Sequence, residues 1–154
     1  MIKESSSYKW AKVKNGIPSV SIINIEITPS LENENKIIEY YSGSGFTSQG
    51  YIEEVPAIGY NDWKLGVKQG LEYAFSLVNS NWLIHINRLE GLHTDTNPSV
   101  VGYTAIRAFL DRIEFQLDDN KIEILEEFVF SSWQRPYKIL IPDFFTLTFT
   151  EYVE

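Results

Sequence analysis

The stretch Trp82–Phe109, WLIHINRLEGLHTDTNPSVVGYTAIRAF, changes its hydrophobic period half-way, and that change decides the fold class. Trp82, Ile84 and Ile86 alternate with Leu83, His85 and Asn87, the period of a half-buried strand. Val101, Ala105, Ala108, Phe109 and Ile113 then recur at helical spacing, which predicts a helix to about Phe115. Gly91 to Asn97 is a polar loop between the two. Asn97-Pro98 marks the helix start, because the Asn side chain can accept from a first-turn N–H. Proline at the first helical position loses only a donor that the helix leaves unpaired.

Upstream, Trp63, Val67, Leu71 and Ala74 predict a second helix, beginning at Asp62 with Asn61 as its cap. Gly66 and Gly70 lie on nearly the same face. Each costs about 1 kcal/mol relative to alanine in a helix, so tight packing against a sheet is expected there. Tyr8–Val13 and Val20–Thr28 read as strands of a hairpin turned at Asn15-Gly16. Lys36–Tyr41 and Tyr51–Val55 read as short strands, with a break at Ser42-Gly43-Ser44-Gly45. Residues 1–7 are polar and serine-rich, as in a frayed start.

Downstream, Lys121–Phe130 and Tyr137–Ile141 read as extended. Across Phe144–Val153, Phe145, Leu147 and Phe149 alternate with Thr146, Thr148 and Thr150, a strand pattern. The 154 residues therefore describe one α+β domain. It has a mixed sheet of about four strands, two helices on one face, and extra C-terminal β-strands over residues 118–154.

Three segments carry a resemblance to domain IV of elongation factor G: VSIINIEITP (Val20–Pro29), YIEEVPAIGYNDWKLGVKQGLEYA (Tyr51–Ala74) and the Trp82–Phe109 stretch. The resemblance covers about residues 8–115. It implies a four-stranded mixed sheet carrying two helices, without the GTPase, since no GxxxxGK[ST] loop is present. In that family the tip uses an arginine-rich hairpin and a histidine-containing loop at the ribosome. Here the hairpin Lys14–Ser19 has no arginine, and the second loop keeps Gly91, His93 and Asp95 with the histidine displaced by one position.

Charge limits the partners. The chain carries 21 acidic and 13 basic side chains, a net charge of −8, which repels phosphate backbones at long range. A protein partner, basic in character, suits this surface better than RNA or a ribosome, which is the alternative. With no cysteine, disulfides and thiolate metal sites are excluded. Met1–Ser7 lacks the apolar core of a signal peptide, and no apolar run approaches the roughly 18–20 residues of a membrane span. A cytoplasmic location is expected, with no membrane association.

Two clusters are candidate binding sites. The loop residues His93, Asp95 and Asn97 could supply an acid/base pair or simply cap the helix, Asp95 and Asn97 both being capping types. Trp133, Arg135 and Tyr137, around Pro136, combine the residue types enriched at interfaces. They could equally close a loop between two strands. His85, eight residues before His93, matches no metal spacing and reads as a surface residue of the open sheet face. Ser42–Gly45 leads to a strand rather than a helix, which excludes a phosphate cradle. The acidic pairs Glu53-Glu54, Asp118-Asp119 and Glu126-Glu127 read as solvated faces and turns. No metal, nucleotide or other cofactor is indicated. The expected function is a non-catalytic protein-binding module, an acidic inhibitor being one form, ahead of an RNA-associated protein or a small enzyme using His93.

Overall fold

The computed structural model of the chain describes residues 7–46, 50–135 and 137–153. Its elements run β1 Ser7–Lys14, β2 Ile17–Pro29, β3 Lys36–Glu39, β4 Glu53–Glu54, α1 Asn61–Ser76, β5 Trp82–Gly91, α2 Pro98–Arg112, α3 Asp119–Ser131, β6 Leu140–Asp143 and β7 Thr148–Glu151. The expected frayed start lies outside the described residues except for Ser7, which opens β1.

Strand β5 is the hub of the main sheet. It pairs antiparallel with β2 along one edge, and on the other with β3 in parallel and β4 antiparallel. The order β1-β2-β5-β3 makes the sheet mixed. Lys14 pairs with Ile17 across a two-residue turn in which Asn15 (φ 52°) and Gly16 (φ 78°) are both left-handed, the conformation that follows strand twist best.

A bulge corrects the alternation in β5. Asn24 pairs with Arg88 but Ile25 pairs with Ile86, so Asn87 is an extra residue. Beyond it the inward positions become Leu89 and Gly91, while Arg88 and Glu90 turn to the open face. Ile23, Ile25 and Ile27 of β2 meet Leu89, Ile86 and Ile84 under the helices, and all six are buried. Arg88 is left outside to pair with Glu54 at 3.3 Å.

Helices α1 and α2 pack side by side over this face. Gly66 and Gly70 press against α2 rather than the sheet: a Cβ on either would overlap the backbone of Pro98 or Gly102. From the other side, a Cβ on Gly102 would lie 2.6 Å from the Gly66 carbonyl oxygen. The glycines let two helix backbones touch, which accounts for their presence in mid-helix.

The C-terminal third keeps two of its expected strands, Leu140–Asp143 and Thr148–Glu151, and departs from the extended reading elsewhere. Residues 119–131 form a helix, capped by Asp118, whose Oδ1 accepts from the Asn120 N–H at 2.9 Å. Ile122, Leu125, Phe128 and Val129 have helical spacing, and their β-forming residue types conceal it. Phe130 of α3 packs edge-on to Trp10 of β1, ring centroids 5.9 Å apart. Glu126 is not on a solvated face: it is buried, accepting from Tyr103 Oη at 2.7 Å and Lys12 Nζ at 2.5 Å. Arg107 Nη1 donates to the same Tyr103 hydroxyl at 2.9 Å.

Phe144–Leu147 is a turn, not strand. Asp143 Oδ1 accepts from the N–H groups of Phe145 and Thr146 at 2.9 and 3.2 Å, and its carbonyl from Leu147 at 2.8 Å. Strands β6 and β7 form a separate two-stranded sheet, with β6 against α1 and α2. Phe144 sits at Gly102, and Phe128 stacks on Phe149 with centroids 4.5 Å apart. Among the described residues no helix is long and apolar enough to cross a membrane.

Candidate functional site

The β5–α2 loop is held from beneath by β2. Val20 N–H donates to the Asp95 carbonyl at 3.0 Å, and the buried Thr96 hydroxyl donates to the Val20 carbonyl at 2.6 Å. The same hydroxyl accepts from the Leu92 N–H at 2.9 Å. Gly91 admits this closure, since a Cβ there would meet Thr96 and Trp63 at 2.8 Å. Thr96 is not apparent from the sequence, because one threonine in a polar loop carries no pattern.

Asn97 caps α2 as expected, its Oδ1 accepting from Val100 N–H at 2.9 Å. The other end of the same amide reaches further along the chain. Its Nδ2 donates to Ser132 Oγ at 2.8 Å, joining the start of α2 to the end of α3. Asp95 does not cap. Its carboxylate accepts from Thr94 Oγ1 at 2.9 Å. No hydrogen bond or ion pair joins it to His93, so the anticipated acid/base pair is not assembled.

The short 3-10 turn Ser132–Gln134 follows α3 and places Trp133, whose Nε1 donates to Ser19 Oγ at 2.9 Å on β2. Trp133 is thereby fixed as a half-buried wall. The segment links a helix to a strand, not two strands. Arg135 is exposed, and its guanidinium makes no hydrogen bond or ion pair among the described residues. Tyr137 is 99 % exposed and contributes no wall. The expectation for Pro136 lies outside the described residues.

The third wall comes from α1. Asn61 is inside this helix and does not cap it. The cap position is Tyr60, left-handed at φ 54° with no side-chain hydrogen bond to the first turn. An aromatic residue in that region costs about 1–2 kcal/mol. Its ring is held by Phe46 at 4.7 Å and Trp63 at 5.1 Å, centroid to centroid. Burial raises the Tyr60 phenol above its ordinary value, with Asp62 and Glu53 adding to the effect.

These walls enclose a cavity of about 320 Å³. Of the six residues singled out in the sequence, His93, Asn97, Trp133 and Arg135 line it, and Asp95 and Tyr137 do not. Tyr60, Trp63, Lys138 and Ile139 are among the residues that line it with them. The sequence marks Trp63 only as a core position of α1, and nothing in it brings Tyr60 to the mouth. His93 stands at the rim, 6.4 Å from the Tyr60 ring. Lys138 pairs with Glu151 at 3.3 Å. Asp62 is the one carboxylate among the described lining residues. The pocket is thus aromatic, with Arg135 and Lys138 as its cations and Asp62 as its carboxylate.

The remaining motifs stay outside it. His85 faces Glu26 on the open sheet face. Ser42–Gly45 lies against Glu53, Glu54 and Glu90, an acidic setting that opposes phosphate. Among the described residues no three His, Asp or Glu side chains cluster for a metal ion. No family model matches the chain, and no curated protein shows significant similarity to it. The class of the molecule therefore rests on fold and pocket: an α+β domain of three helices, a mixed main sheet and a C-terminal two-stranded sheet.

Proposed function

We propose that this chain is a non-catalytic binding module, which captures a partner protein through the pocket between the β5–α2 loop and the α3–β6 connection. One observation carries the reading: loop and C-terminal residues far apart in sequence converge on a cavity with fixed aromatic walls and an arginine unpaired among the described residues. Large rigid aromatics beside arginine are the groups that supply most of the energy at protein interfaces. His93 has no carboxylate partner among the described residues to orient or activate it, which favours binding over acid/base chemistry. The acidic remainder of the surface suits a basic partner, and the proposed setting is the cytoplasm.

The test is capture from cell extract with RNase present, comparing the native chain with Ile139→Glu. Ile139 lines the pocket and is 47 % exposed, so the substitution blocks the cavity at little cost to the fold. An RNase-resistant protein retained by the native chain and lost by the variant is expected. Equal retention by both would remove the pocket from the interaction.

A second reading is association with RNA or the ribosome. It is supported by the likeness of residues 8–115 to domain IV of elongation factor G, and by the Tyr60, Trp63 and Trp133 rings, on which bases could stack. Capture of ribosomal proteins that disappears on RNase treatment is its expected signature.

A further inference from the structure

Accepting the pocket as the recognition site, we infer that its ligand is the C-terminal end of a protein chain whose last residue is apolar. Such an end presents a carboxylate and an apolar side chain on one carbon, and the pocket offers a complement to each.

The arginine complements the carboxylate. Of the four arginines, Arg88 pairs with Glu54, Arg107 pairs with Glu126 and donates to Tyr103, and Arg112 is buried. Arg135 alone lines the aromatic cavity, and its guanidinium has no partner among the described residues, although acidic side chains outnumber basic ones by 21 to 13. A planar guanidinium binds a carboxylate through two parallel hydrogen bonds. Trp63, Trp133 and Ile139 supply the apolar contact, in a volume of about 320 Å³ that admits one large side chain.

The occupant carries few negative charges. Lys138 is already paired with Glu151, and Asp62 stands in the lining, so a phosphodiester chain finds one available guanidinium beside a carboxylate. Strong binding of such a chain needs several phosphates neutralised together. A single carboxylate needs one arginine. Capture of a terminal carboxylate is an established mode of peptide recognition.

The experiment titrates the full chain with acetyl-Gly-Gly-Phe ending in a free carboxylate, and with the same peptide ending in a carboxamide. Binding is followed by the indole N–H resonances of Trp63 and Trp133. The acid is expected to bind about tenfold more tightly than the amide, the usual worth of a charge-assisted hydrogen bond. Arg135→Gln, an exposed substitution, is expected to bring the two peptides to parity without unfolding the chain. Parity in the native chain, no binding of the acid at millimolar concentration, or tighter binding of a single-stranded RNA oligomer would each overturn the inference. If acid and amide tie while Ile139→Glu still abolishes partner capture, the ligand class falls and the binding module stands. If the acid is preferred but capture is unaffected by Ile139→Glu, the reverse holds.

Discussion

At the scale of single residues, side chains with two partners matter more than their type suggests. Asn97 is readable as a cap, but its bond to Ser132 depends on where α3 ends, and α3 is absent from the strand reading. Asn97→Asp keeps an acceptor for Val100 and removes the donor to Ser132, whereas Asn97→Ala removes both. The alanine variant is expected to lose about 1–2 kcal/mol in urea denaturation, the aspartate variant less.

Glu90 gives a prediction of opposite sign. Burial raises its carboxyl above the ordinary value; Arg88 opposes this, and Glu54 adds a smaller push upward. A raised folded-state pKa means the native chain holds the proton more tightly than the unfolded chain does. Stability from this group is therefore full at acid pH and falls as pH rises through the raised value. Glu90→Gln is expected to raise the melting temperature at pH 7, and the gain should fade when the pH drops below the carboxylate range. A constant gain at every pH would contradict this origin. Nothing in the sequence marks Glu90, because only the bulge at Asn87 decides which way it points.

At the scale of elements, the sequence is legible wherever period and caps agree. β1, β2, β5, α1 and α2 all follow the expected order, with ends displaced by a few residues. It misleads in residues 119–131, where isoleucine and phenylalanine suggest strand although their spacing is helical, and packing on Trp10 decides for the helix. It misleads again at Phe144–Leu147, where Asp143 converts an alternating run into a turn. The mid-helix glycines of α1 signal close packing in the sequence, but their neighbour is α2 and not the sheet. Gly70→Ala tests the correction: in an exposed helix it would stabilise by up to about 1 kcal/mol. Against the Gly102 backbone it is expected to destabilise by about 1–3 kcal/mol or more, measured by thermal unfolding.

At the scale of the whole molecule, half the pocket is visible in the sequence as two unrelated clusters, and only the fold shows them to be one. His93 and Asn97 come from the β5–α2 loop, Trp133 and Arg135 from beyond α3, and Tyr60 and Trp63 from the start of α1. Single-sequence patterns report local period and capping, not which distant loops meet. That separation along the chain has a kinetic meaning. Closing the site requires contacts between segments some seventy residues apart, which form late when loop closure limits the rate. Trp63 and Trp133 lie in its walls, so their fluorescence should reach its native value in the slowest refolding phase, after helical circular dichroism has recovered. The pocket would then work as the chain's own completion signal, competent to bind only once the last segment has docked.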